Sequence, residues 1–137
     1  MMRLWHYELI PVLPKKMLVS QWRECIAIKR QWEKGALKHR LVSYVKDYDV
    51  NYFINYVNKI IGEMDKRQIK YNKKLKFEIW DIGFRTAFAG LIRNNYPEHN
   101  NRYLKQCYYN LQEKADRGII TQEEWKKIED RFKNEIE

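Results

Sequence analysis

Apolar residues recur at helical spacing along most of this chain. Leu18, Trp22, Cys25 and Ile26, with Lys29 in register, predict a helix over about 14–30. Pro14 suits its first turn, where a missing N–H costs nothing. The opposite face carries Lys15, Arg23, Glu24 and Arg30. Phe53, Val57, Ile60, Ile61 and Met64 form the clearest stripe and predict a helix over about 49–72, with Asp49 as N-cap and a basic run, Lys70 to Lys74, at its end. Tyr103, Leu104, Cys107, Tyr108 and Leu111 share one face of a helix that Pro97 opens and Gly118 closes. Thr121 and Glu124 make a capping box for a last helix over 121–136, with Trp125, Ile128, Phe132 and Ile136 on its buried side.

The intervening stretches are less regular. Residues 1–13 are apolar and aromatic, and Pro11 and Pro14 bracket a turn. Residues 31–48 read as irregular, broken by Gly35. Phe77, Ile79, Trp80, Ile82 and Phe84 show no clean period, and 86–94 could form a short helix. The fold class is all-α: a compact single-domain bundle of three long helices plus one or two shorter ones, spanning 1–137.

Composition agrees. Glycine (5) and proline (3) are too scarce for a turn-rich β fold. With 45% hydrophobic and 33% charged residues, 137 residues suffice for one core without staples. No apolar run is long enough to span a membrane. The N-terminus lacks the features of a signal peptide, and with only two cysteines a reducing cytoplasm is expected; a monomer is expected as well. Cys25 and Cys107 make no disulfide framework and fall on apolar helix faces, which suits buried structural thiols.

Charge is lopsided. Residues 1–76 hold 17 Lys and Arg against 7 Asp and Glu, whereas residues 77–137 hold 10 against 11. An excess confined to one half of a folded chain suggests a footprint for a polyanion, usually nucleic acid; a solvated basic surface is the plainer alternative. Candidate chemistry is sparse. His6, His39, His99 and the two cysteines show no metal-ligand spacing, the glycines form no phosphate loop, and G-x-S-x-G is absent. What remains is Glu24 among Arg3 and Arg23. It reads either as an ordinary ion-paired glutamate or as a carboxylate kept ionised by arginines and aimed at a substrate.

The order of several segments is informative. Met2-Arg3-Leu4-Trp5-His6-Tyr7-Glu8-Leu9-Ile10-Pro11, then Gln21-Trp22-Arg23-Glu24-Cys25, resembles the pyrimidine-dimer DNA glycosylase family, in its bacterial branch. Lys38-His39-Arg40 before Leu41-Val42-Ser43-Tyr44-Val45, Lys66-Arg67-Gln68-Ile69 and Tyr96-Pro97-Glu98-His99 resemble further family segments. The resemblance covers residues 2 to about 118, and the helix at 121–136 is additional.

The resemblance implies a compact all-α DNA repair enzyme. It would act as a glycosylase with associated abasic-site lyase activity on damaged duplex DNA, in keeping with pyrimidine dimers, and would need neither metal nor cofactor. The family nucleophile is the N-terminal α-amine, which forms a Schiff base at the sugar. Its pKa of about 7.7–8 leaves much of it unprotonated near neutrality. The aligned position is Met2; with translation starting there, its amine falls in register. Glu24 matches the catalytic carboxylate, and Arg3 and Arg23 match arginines that hold phosphates. Lys15, Lys16, Lys29 and Arg30 supply further charge where other family DNA contacts are replaced, and His39 and Arg40 complete the expected DNA-binding set. Trp5, His6 and Tyr7 flank the nucleophile. A non-catalytic all-α nucleic-acid-binding protein on the same scaffold is the alternative; a helical protein-interaction domain would bind DNA weakly and with little salt dependence.

Overall fold

The amphipathic stripes fold as helices in the computed structural model, which describes the backbone of residues 3–84 and 94–136 and the side chains of 3–81 and 94–136. Among these residues there are five α-helices, two short 3-10 helices and no strand. The α-helices are α1 (Lys15–Glu33), α2 (Val50–Lys66), α3 (Lys73–Phe84), α4 (Asn101–Asp116) and α5 (Gln122–Ile136). The 3-10 helices, Tyr7–Val12 and Ser43–Asp47, lie in stretches whose pattern reads as a turn and as irregular. The short helix expected at 86–94 lies almost wholly outside the described residues.

Local chemistry sets the helix boundaries. Asp49 caps α2 by accepting the Asn51 N–H at 2.9 Å. Asn100, not Pro97, caps α4, its side chain accepting the Tyr103 N–H at 2.9 Å. The capping box at α5 is formed in both directions: Thr121 Oγ1 accepts from the Glu124 N–H at 3.0 Å and Glu124 Oε1 from the Thr121 N–H at 2.8 Å. Helices α1 and α4 close through left-handed glycines, Gly35 (φ 67°) and Gly118 (φ 75°).

Helix α2 ends at Lys66, six residues before the expected 72. Gln68 takes the left-handed position (φ 59°), and the Ile69 N–H reaches back to the Met64 carbonyl at 2.8 Å. This is the glycine-type closure built with a non-glycine residue, so no glycine in the sequence marks it. The chain then turns, Tyr71 packs edge-on against Trp22 at 5.5 Å, and α3 begins. The missing period in α3 has a simple origin: Ile79 is buried while Phe77 is 57% exposed. A left-handed conformation costs a residue with a Cβ about 1–2 kcal/mol. Replacing Gln68 with glycine should therefore raise stability by up to about 1 kcal/mol, read from the urea midpoint; an unchanged or lower midpoint would contradict it.

The core runs through all of these elements. Leu4, Leu9, Leu18, Ile28, Phe53, Ile60, Leu111 and Phe132 are fully buried in one apolar cluster. Helix α1 packs on α2, α2 on α3 and on both 3-10 helices, and α5 on α4 and the first 3-10 helix. Arg67, at the C-terminal end of α2, is consumed internally. Its guanidinium pairs with Glu63 at 2.8 Å and donates to the Leu13 carbonyl at 2.7 Å and the Pro11 carbonyl at 3.1 Å.

A second, aromatic cluster surrounds His99, which is 5% exposed. Its Nε2 lies 2.7 Å from the Tyr44 hydroxyl, and His6 stacks on it at 5.6 Å. Its Nδ1 and the Tyr96 hydroxyl have no hydrogen-bond partner among the described residues.

Candidate functional site

Glu24 lies midway along α1 and is half-buried. Its Oε2 accepts a hydrogen bond from Gln21 Nε2 at 2.9 Å. The same nitrogen donates to the Arg3 carbonyl at 2.8 Å, while Gln21 Oε1 accepts the Trp5 N–H at 2.8 Å and the Tyr56 hydroxyl at 3.0 Å. The single Tyr56 hydroxyl proton is shared between Gln21 Oε1 and the Trp5 carbonyl, which lies 2.7 Å away, and Tyr103 donates to the Leu4 carbonyl at 2.5 Å. The segment 3–5 is thus held in a fixed path by α1, α2 and α4.

Glu24 opens into a pocket of about 310 Å³. Arg3 and Trp5 line it from the N-terminal segment, Met17 and Ser20 from α1, Asn110 and Lys114 from α4, and Ile119 from the turn before α5. The Arg3 guanidinium rests 5.5 Å from the centre of the Trp5 ring. Lys16 ties the pocket's rim together by donating to the Ile119 carbonyl. Burial raises the Glu24 carboxyl above its ordinary range, opposed by the Arg3 backbone and the Gln21 amide. A carboxylate so placed accepts a proton more readily than a free glutamate.

The structure sorts the residues nominated from the sequence. Arg3 and Glu24 share the pocket. Lys16, Arg23 and Arg30, at steps of seven, lie exposed along one side of α1, and Lys15 is exposed at its start. Lys29 does not belong to this basic face. It is buried, with its ammonium 2.8 Å from Glu33 and 3.7 Å from Glu78. Its position in register with Trp22 and Ile26 points it towards α2 and α3, where burial requires paired charge. His39 and Arg40 are exposed beyond the C-terminal end of α1, outside the pocket lining. Met2 lies outside the described residues. Trp5 and His6 are buried and Tyr7 half-buried, so these aromatics pack rather than stand free.

Cys25 and Cys107 are both buried, and burial pushes both thiols up, away from the reactive thiolate. Among the described residues no group of three or more His, Cys, Asp or Glu could hold a metal ion, and no helix is long and apolar enough to cross a membrane.

Sequence reasoning missed Gln21, Tyr56, Tyr103, Asn110 and Lys114. Gln21 carried a signal, since it falls three residues after Leu18 and four before Cys25, a polar side chain in an apolar register. Asn110 and Lys114 carried none, because only the packing of α4 beside the N-terminal segment brings them to Glu24.

A family model described as pyrimidine dimer DNA glycosylase matches residues 2–78. The matched span ends within α3, short of the residue 118 to which the sequence resemblance extends. No curated protein and no solved structure matches the chain.

Proposed function

This chain belongs to the pyrimidine dimer DNA glycosylase family, and on that premise we propose that it removes the damaged base from duplex DNA and then cuts the strand at the same sugar. In a chain begun at Met2, the free N-terminal α-amine attacks C1′. The C1′–N bond to the base breaks, the base leaves, and an imine remains on the opened sugar. Glu24 stabilises cationic character at the sugar and handles the proton lost from C2′ as the C3′–O bond breaks in β-elimination. Arg3 and Lys114, across the same pocket, attract the flanking phosphates.

The observation that carries this reading is the bridge by which one amide, Gln21, holds both the Glu24 carboxylate and the backbone of Arg3. Arg3, the residue after Met2, thereby lies beside the Glu24 carboxylate, which supports the assignment of Glu24 to this chemistry. The exposed row Lys16, Arg23 and Arg30 covers roughly 21 Å at a rise of about 1.5 Å per residue. That is about six base pairs at roughly 3.4 Å each.

Borohydride trapping on a duplex with one abasic site tests the reading, because the reagent converts an imine into a stable covalent adduct. A trapped adduct is expected, and it should disappear when the N-terminal amine is acetylated. Absence of any adduct while salt-sensitive binding persists would overturn the lyase reading in favour of a DNA binder without this chemistry. Replacing Arg23 or Arg30 with alanine should weaken duplex binding and lower the slope of log K against log salt by about 0.9 for each phosphate that is no longer neutralised. An unchanged slope would remove that side of α1 from the interface.

A further inference from the structure

Gln21 is 1% exposed and uses every hydrogen-bonding position it has. A primary amide offers two N–H donors and a carbonyl with two lone pairs. Nε2 donates to the Arg3 carbonyl and to Glu24 Oε2, and Oε1 accepts from the Trp5 N–H and the Tyr56 hydroxyl. These partners also fix which way round the amide lies. The reversed amide would set its oxygen against a carbonyl and a carboxylate, and its NH2 against an N–H.

We infer that Gln21 is a positioning residue for the abasic-site chemistry: it sets the register between the N-terminal segment and Glu24 and holds the carboxylate in its ionised, hydrogen-bonded form. The inference rests on the reading of Glu24 given above. A leucine or methionine would fill the same space, so packing alone does not demand an amide. A glutamate would have the same shape, but it accepts where Gln21 donates. Only an amide satisfies two acceptors and two donors at once.

The groups facing Glu24 are few. Arg3 comes from the N-terminal segment and Lys114 from α4. Cys25 adjoins it on α1, and Tyr56 of α2 reaches it through Gln21. Burial pushes both Cys25 and Tyr56 up, so they stay neutral near pH 7. The Arg3 backbone and the Gln21 amide therefore oppose the desolvation of Glu24.

The test compares wild type with Gln21→Glu and Gln21→Met. The Glu24 carboxyl is titrated by carbon NMR, strand scission at an abasic site is followed in single turnover against pH, and stability is read from urea midpoints. In Gln21→Glu two carboxyls share one site, so the Glu24 midpoint should rise by about one unit or more. The acid limb of the scission profile should move with it. The scission rate at pH 7 should fall at least about tenfold, with little change in half-saturation by the abasic duplex. Gln21→Met should shift the midpoint in the same direction by less, and it carries the test if the glutamate variant fails to fold. A glutamine that merely supports the fold would lower the urea midpoint and leave both the Glu24 titration and the acid limb in place; that result overturns the inference. If wild type forms no adduct with abasic DNA, the proposed function fails, while the NMR titration still decides whether Gln21 governs Glu24.

Discussion

Replacing Glu24 with glutamine should reduce single-turnover strand scission at an abasic site by about 10²–10⁴-fold, while leaving the fold and most duplex affinity intact. The substitution keeps the shape, and a glutamine carbonyl can still accept from Gln21 Nε2. Glu24 is half-buried, so a neutral amide relieves desolvation rather than adding to it. Stability should stay level or rise slightly, which separates a chemical loss from a folding loss. In wild type the acid limb of scission should lie above the ordinary glutamate value of about 4.3, because burial raises this carboxyl. Scission by Glu24→Gln within tenfold of wild type would remove Glu24 from the proton transfer.

The second large effect is acid lability, and it originates away from the pocket. Burial among aromatic rings lowers His99 to about 3, with the neighbouring His6 as a further cause, and His6 is itself lowered by burial. An unfolded histidine titrates near 6.5. The folded state therefore resists a proton that the unfolded chain accepts. The stability His99 contributes is complete above about pH 6.5 and is lost progressively as pH falls from there towards about 3. At 1.36 kcal/mol per unit the full loss is of the order of 5 kcal/mol, a large part of a small protein's stability. Glu24 works in the opposite sense, since its raised pKa favours the folded state as protons are added. Urea midpoints from pH 7 to 4.5 should fall steeply for wild type and much less for His99→Gln. Parallel slopes for the two proteins would sink the assignment.

Much of the architecture was legible because it is periodic. The stripe from Phe53 to Met64, the Thr121–Glu124 box and Gly118 each name a local rule, and the structure follows each one. The misreadings share a different character. The end of α2 rests on a left-handed Gln68, and α3 exposes an aromatic residue that its pattern would bury. The candidate site divides in the same way. Arg3, Arg23 and Glu24 stand out through charge and the order of segments. Lys29 is identical in type to its neighbours, and only its angular position decides that it faces Glu33 and Glu78 rather than solvent. Lys114 lies ninety residues from Glu24 in sequence, and no local signal joins them.

The tyrosine clamps on the N-terminal segment bear on how the chain matures. Leu4 and Trp5 leave the ribosome first, yet Trp5 finds its hydroxyl partner 51 residues later and Leu4 finds its own 99 residues later. Closing such long loops costs entropy before the hydrogen bond returns anything. Once α1 and α2 have formed, Gln21 and Tyr56 can hold Arg3 and Trp5, but the clamp on Leu4 closes only after α4 has emerged. The stretch 2–78 that the family model matches lacks Tyr103 and Lys114. Synthesised alone, it would hold Glu24 and Gln21 but neither the last clamp nor the far wall of the pocket, so the pocket is completed only by the C-terminal half of the chain.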